Sequence, residues 1–237
     1  MGKSLIQQAR GKGGPTYRSK GFANAGEIKL HPEVQTKVEG TITNLIKCPG
    51  HSAPLVEVTY TDGVKSLLPA PEFIKIGDKV STGPGSEVNI GNTLSLKDIP
   101  EGTPIFNIEM QPGDGGKVCR TGGSAAHVIT KTEKSVTVLL PSKKEKTFHL
   151  NCRAQIGIIA GGGRQEKPFL KAGEKHFNRR IKNKRWPNPA AHAQNAVDHP
   201  YGNKRSSRKA KNKAVGHFAP PGRKVGKLWP KSPVGPK

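Results

Sequence analysis

Acid is what this sequence is short of. Against 40 Lys+Arg stand only 17 Asp+Glu in 237 residues, a formal charge of +23. The shortage is uneven. Residues 1–30 hold 6 cations and 1 acid, and residues 164–237 hold 20 and 3. Residues 31–163 are almost balanced, with 14 and 13. A nearly neutral body is therefore flanked by two cationic arms. That layout is an electrostatic footprint for a polyanion rather than a uniformly supercharged surface.

Cysteine is also scarce. Three residues without a pattern exclude a disulfide framework and fit a reducing, cytoplasmic compartment. Cys48-Pro49-Gly50-His51 has the gap of half a zinc site, but Cys119 and Cys152 stand alone and no second ligand pair follows, so no metal is expected. Apolar runs are short. None approaches the roughly 18 residues of a membrane span, and the first residues, MGKSLIQQAR, lack the apolar stretch of a secretory signal. Neither membrane contact nor export is expected.

Catalytic arrangements are missing too. Gly113 to Lys117 resembles a phosphate loop, yet position 111 is Gln and position 118 is Val, where that motif needs Gly and Ser or Thr. Asp198-His199 is the one acid–base pair, and no nucleophile is set beside it by sequence. The chain is not expected to be an enzyme.

Aromatics are few and oddly placed. Of 12, only Tyr60, Phe73, Phe106 and Phe148 fall in the body. Tyr17, Phe22, Phe169, Phe177, Trp186, Tyr201, Phe218 and Trp229 lie in arms with little aliphatic material to bury them. Stacking on bases, worth roughly 1–3 kcal/mol each, or docking on the body would accommodate them.

The body reads as β. Short runs VEGTITNLI, LVEVTY, VKSLL and FIKIGDKV are separated by turns, with Thr61-Asp62-Gly63 a hairpin signal and Gly77-Asp78 a second. Residues 37–82 are expected to form a small oligonucleotide-binding-type barrel. A Gly-rich connector leads into IFNIEM, AHVIT, SVTVLL, TFHL and IGIIA, so residues 83–163 are expected to hold the connector and an SH3-like barrel. Residues 1–36 form a basic N-terminal arm, disordered if alone. Residues 164–237 form a basic extension with one short helix within Lys171 to Lys184, then an irregular proline-rich tail. The fold class is mostly β: two small barrels carrying extended arms.

The segment from Trp186 to His217 joins an irregular Pro/Asn/Ala/His stretch to an acid-free cationic run, which must stay solvated or find a polyanion. The residues expected at an RNA surface follow from this. They are Arg10, Lys12, Arg18 and Lys20 in the first arm, and Lys117 and Arg120 on the glycine-rich loop Pro112 to Ser124, a flexible loop facing RNA backbone. In the second arm they are Arg164, Arg179, Arg180, Lys184, Arg185, Trp186, His199, Tyr201, Lys204, Arg205, Arg208, Lys209, Lys211 and Lys213. A DNA-compacting protein is the other class such a charge would serve, but it would favour repeats over scattered aromatics.

Several stretches carry a resemblance running almost end to end. They are Tyr17-Arg18-Ser19, Gly91-Asn92-Thr93-Leu94, Ile99-Pro100-Glu101-Gly102-Thr103, Asn107 to Gly113 with Gly115-Gly116, Cys152-Arg153-Ala154 with Ile156-Gly157, and Asn195-Ala196-Val197-Asp198-His199-Pro200. Together they resemble the universal large-subunit ribosomal protein two family, and the short first arm is similar to archaeal and eukaryotic members. The resemblance implies a structural constituent of the large ribosomal subunit in the cytoplasm, binding ribosomal RNA. It implies other ribosomal proteins as partners, a bridging contact to the small subunit, and delivery of Asp198-His199 toward the peptidyl transferase region, where the chemistry belongs to RNA. No cofactor is implied beyond Mg2+ shared with bound RNA. The family's glycine cluster after His-Pro is here Tyr201-Gly202-Asn203-Lys204-Arg205, so a role for those glycines does not carry over.

Overall fold

A computed structural model describes residues 13–15, 17–18, 24–203, 214–220 and 222–228. The chain divides into two compact units, one of residues 21–169 and one of residues 1–20 with 170–237.

The first unit is β. Its strands are β1 (Val38–Ile46), β2 (Leu55–Tyr60), β3 (Lys65–Pro69), β4 (Lys79–Thr82), β5 (Thr93–Ser95), β6 (Pro104–Phe106), β7 (Ala126–Lys131), β8 (Ser135–Leu139), β9 (Glu145–His149) and β10 (Arg153–Ile156). They form one ladder in the order β3-β2-β1-β4-β5-β10-β6-β7-β8-β9. All neighbours are antiparallel except β4 and β5, which meet in parallel at Thr82 and Thr93. That short junction separates two cores. Leu30, Ile42, Val56, Val58, Tyr60, Leu68, Ala70 and Val80 fill the first. Leu94, Leu96, Ile99, Ile105, Ile108, Val128, Val136, Val138, Phe148 and Ile156 belong to the second.

Alternation sets which face is buried. In β8, Val136 and Val138 point in while Ser135, Thr137 and Leu139 stay partly exposed, the period of 2 of a half-buried strand. Register shifts in β1 at Ile42/Asn44 and in β7 at Val128/Thr130 are bulges that bend short strands round a small core. The Asp62 turn forms as expected: Val64 N–H donates to Asp62 Oδ1 at 3.1 Å and Gly63 has φ 83°. Across the junction, Asn92 is 5% exposed; its Oδ1 accepts from Ser81 N–H at 2.8 Å and its Nδ2 donates to Glu87 O.

Three expectations are corrected here. Residues 24–36, assigned to the arm, lie on the body: Ile28, Leu30 and His31 are 2%, 4% and 2% exposed, and Lys29 N–H donates to Leu67 O. Their apolar residues are too few to read as a pattern, and they gain their core only from β2 and β3. FIKIGDKV yields just the start of β4, because residues 73–78 form a loop in which Phe73 has φ 63°. IGIIA is not the last strand either. β10 ends at Ile156 because Gly157 takes φ 118°, and its residues Arg153, Ala154, Gln155 and Ile156 are all buried because β5 and β6 pair on both sides.

The second unit contains α1 (Ala172–Ile181), inside the expected span, and a short 3-10 turn at Ala191–Ala193. No residue of α1 is buried. Among the described residues no helix is long and apolar enough to cross a membrane.

Candidate nucleic-acid interface

On the first unit, the glycine-rich loop proves to be held from within. Glu109, wholly buried, accepts from Gly115 N–H at 3.2 Å, Gly113 N–H at 3.4 Å and three nitrogens of Arg153. Asp114 accepts from Met110, Gly116 and Gln111 N–H at 3.0, 3.1 and 3.4 Å. Burial would raise this carboxyl; the backbone donors from Gly116, Met110 and Gln111, with Lys117 nearby, outweigh it and hold it below its ordinary value. Gly115 O accepts from Leu30 N–H. At Gly116, φ 85°, a Cβ would stand 2.5 Å from Asn107 Oδ1.

The loop is thus a packed element, correcting the expectation of a flexible one. Its glycines answer to internal crowding and positive φ, which a sequence cannot distinguish from approach to a partner.

Its two cations part company. Lys117 stays exposed and pairs with Asp114 at 3.6 Å. Arg120 turns inward: Nη1 donates to Gly116 O at 3.0 Å and Nη2 to Ile28 O at 3.3 Å. It ties residues 24–36 to the loop through Ile28 O. Nearby, His51 Nδ1 lies 3.1 Å from Cys48 Sγ, which also accepts from Ala25 N–H. Burial and then Arg120 push the His51 imidazole down. Among the described residues no group of three or more His, Cys, Asp or Glu is placed to hold a metal ion.

Cations that the reading of the sequence passed over gather on the β8–β9 hairpin. Lys143 and Lys144 form its turn and Lys146 sits over Phe148, 5.3 Å from the ring centre. The run Ser142 to Lys146 was the available signal, hidden by Glu145 and by the balanced charge of the body.

The second unit presents its cations outward. Arg179 and Arg180 are exposed in the last turn of α1, where they also complement the helix dipole. Lys184 and Arg185 are exposed beyond it. Trp186 is partly covered by His176, with ring centres 6.4 Å apart, and by Lys175, whose Nζ lies 5.8 Å from the ring. Phe177 and Ile181 remain 61% and 43% exposed, an apolar stripe beside guanidinium groups. Arg18 is exposed in a turn closed by its own N–H to Gly14 O at 3.0 Å. Arg164, in the first unit, is exposed on a 3-10 turn, Gly162–Gln165.

The Trp186 to Gly202 stretch is irregular yet folded. Asp198 and His199 N–H both donate to Asn195 O, Gly202 N–H to His199 O and Asn203 N–H to Gln194 O. Gly202 is buried, and a Cβ there would collide with the Asn195 backbone. So the one glycine left after His199-Pro200 is the one this turn requires. Tyr201 N–H donates to His199 Nδ1 at 3.1 Å, which makes Nδ1 the acceptor and leaves Nε2–H as the ring's remaining donor. Tyr201 Oη donates to Val225 O at 3.4 Å. His199, Asp198, Pro200 and Arg223 line one open cleft of about 240 Å³. Arg223 was not among the expected residues; its distance in sequence gave no hint that it returns beside Asp198.

Arg10, Lys12, Lys20, Lys204, Arg205, Arg208, Lys209, Lys211 and Lys213 lie outside the described residues.

Comparison with known proteins now bears on this arrangement. A model of the C-terminal domain of ribosomal proteins L2 matches residues 89–219. The chain is 45% identical over 232 residues to large ribosomal subunit protein uL2 of Methanococcus vannielii, covering 96% of this chain and 98% of that protein. It is 44% identical to uL2 of Methanopyrus kandleri and 45% to uL2 of Methanocaldococcus jannaschii, with 96% of each chain covered in both. The match takes in both cores, the packed glycine loop and the His199 turn, and on that extent the chain belongs to the large ribosomal subunit protein uL2 family.

Proposed function

We propose that this chain is a structural constituent of the large ribosomal subunit, acting in translation by binding ribosomal RNA. One observation carries the reading: the distribution of unsatisfied charge. In the first unit Arg153 and Arg120 are turned inward, on Glu109 and on backbone oxygens. In the second, Arg179, Arg180, Lys184 and Arg185 face solvent beside exposed Phe177. Cations beside exposed rings suit phosphates and base faces together.

The folded His199 turn supplies a directed donor, Nε2–H, suited to an RNA acceptor and not a base, since Nδ1 is occupied by Tyr201 N–H. No catalytic step is assigned to the chain, and the peptidyl transferase region would gain a positioned protein contact from it. A bridging contact to the small subunit belongs to the same reading. Other ribosomal proteins would meet the first unit, whose charge is nearly balanced. The test is sedimentation. The full chain should travel with large subunits and stay bound through a moderate salt wash, crosslinked to ribosomal RNA through residues 176–201. A chain recovered with DNA, or free, would contradict it.

A further inference from the structure

Phe73 is out of place in the first unit. Its ring is 93% exposed, and its backbone sits at φ 63°, a region that strains a non-glycine residue. Among the described residues the neighbour Ile74, not Phe73, packs on the first core. Other apolar side chains are exposed on neighbouring loops. Glu72 N–H donates to Ile158 O at 2.8 Å, which sets the residue before Phe73 beside Ile158, itself 39% exposed. Ile90, 51% exposed, lies so close over Gly157 that a Cβ there would meet it at 3.3 Å. Ile76 and Val88 are 57% and 44% exposed on the same two loops. The charges on these two loops are Glu72, Asp78, Glu87 and Lys75. In a chain of net +23, these two loops are apolar and carry three acids against one cation. Phosphate would be repelled by those carboxylates. A protein segment with apolar side chains and a flanking Lys or Arg would be matched on both counts.

We propose that Phe73, Ile90 and Ile158 form a protein-docking surface, whose occupant is a basic protein segment that seats apolar side chains against the Phe73 ring and sets a cation beside Glu72 or Glu87. The strain at Phe73 holds the ring outward for that contact.

The proposal rests on the chain being built into large subunits, and the experiment separates the two. Full-length chain carrying a photoreactive benzoylphenylalanine in place of Phe73 is assembled into particles and irradiated, with the same probe at Phe177 as reference. The expected result is a ribonuclease-resistant adduct to a protein at position 73, its crosslinked peptide holding Lys or Arg, and an adduct to RNA at 177. An adduct to RNA at 73, or none there while 177 reacts, overturns the docking proposal alone. Absence of the chain from the particles overturns the earlier reading and this one with it. A second measurement uses the peptide so identified. Phe73→Gly keeps the backbone conformation and removes the ring. It should weaken binding of that peptide about tenfold or more, as loss of an aromatic anchor does. RNA affinity should stay unchanged, and the melting temperature of the free chain equal or higher. Unchanged peptide binding would overturn the proposal.

Discussion

Arg153 and Glu109 form the buried pair on which the first unit is assembled. Nη2 donates to Oε1 at 2.7 Å and Nε to Oε2 at 3.3 Å, while Nη1 turns away to His31 O at 2.7 Å and Pro32 O at 3.3 Å. The same carboxylate takes the Gly113 and Gly115 N–H groups. One arginine thereby connects the last strand, the glycine loop and residues 24–36. Removing a single partner leaves the other charge buried and unmatched. Arg153→Ala or Glu109→Ala should each cost about 3–5 kcal/mol of unfolding free energy, read from urea titration of the free chain. A loss below about 1 kcal/mol for either would show that water reaches the pair.

The glycine loop gives a second prediction. Gly115 has φ 81°, and an added Cβ would meet Lys29 at an ordinary 3.5 Å, so the cost of a side chain there is backbone strain. Gly115→Val should lower the melting temperature of the free chain as well as its RNA affinity. Gly116→Ala should be worse, since its Cβ meets Asn107. A free chain of unchanged stability with lost RNA binding would restore the loop to the role of a pure contact surface.

How much of this could be read in the residues beforehand depends on whether a signal was local. β1 was found residue for residue, because VEGTITNLI alternates and is bounded by turns. The Asp62-Gly63 hairpin was found because two residues specify its backbone. The cationic surface of the second unit was legible from charge alone. Residues 24–36, the inward turn of Arg120 and the arrival of Arg223 at Asp198 were not, since each depends on groups dozens of residues away. Phe73 was counted among the body's aromatics with no sign that it faces outward. A single positive φ decides that, and no neighbour in sequence announces it.

Acid should loosen the loop through Asp114. Its carboxyl is held below the ordinary 3.8 in the folded chain. The contribution is therefore complete above about pH 4 and fades as the pH falls through the lowered folded-state value. Asp114→Asn should be less stable than the parent at neutral pH, and the gap should close toward low pH. A gap that is constant with pH would mean the carboxylate's charge plays no part.

His199 supplies a prediction about roles. His199→Gln retains an amide that can donate to RNA, whereas His199→Ala leaves that acceptor unpaired at roughly 1–3 kcal/mol. The Gln variant should therefore assemble and support peptide-bond formation better than the Ala variant. A loss of peptide-bond formation confined to the Gln variant in fully assembled particles, varying with pH, would revive a proton-transfer role.

The claim beneath all of this is that charge outside residues 31–163 carries the affinity for RNA. Residues 1–30 and 164–237 hold 26 Lys+Arg. Each phosphate they neutralise releases counterions and contributes about 0.7–0.9 to the slope of log K against log salt concentration. The direct measurement is that slope, for the full chain on large-subunit ribosomal RNA. Neutralising Arg179, Arg180, Lys184 and Arg185 together to Gln should reduce it by about 3–4. A parent slope matching one or two contacts, or no change on removing those four cations, would contradict the account.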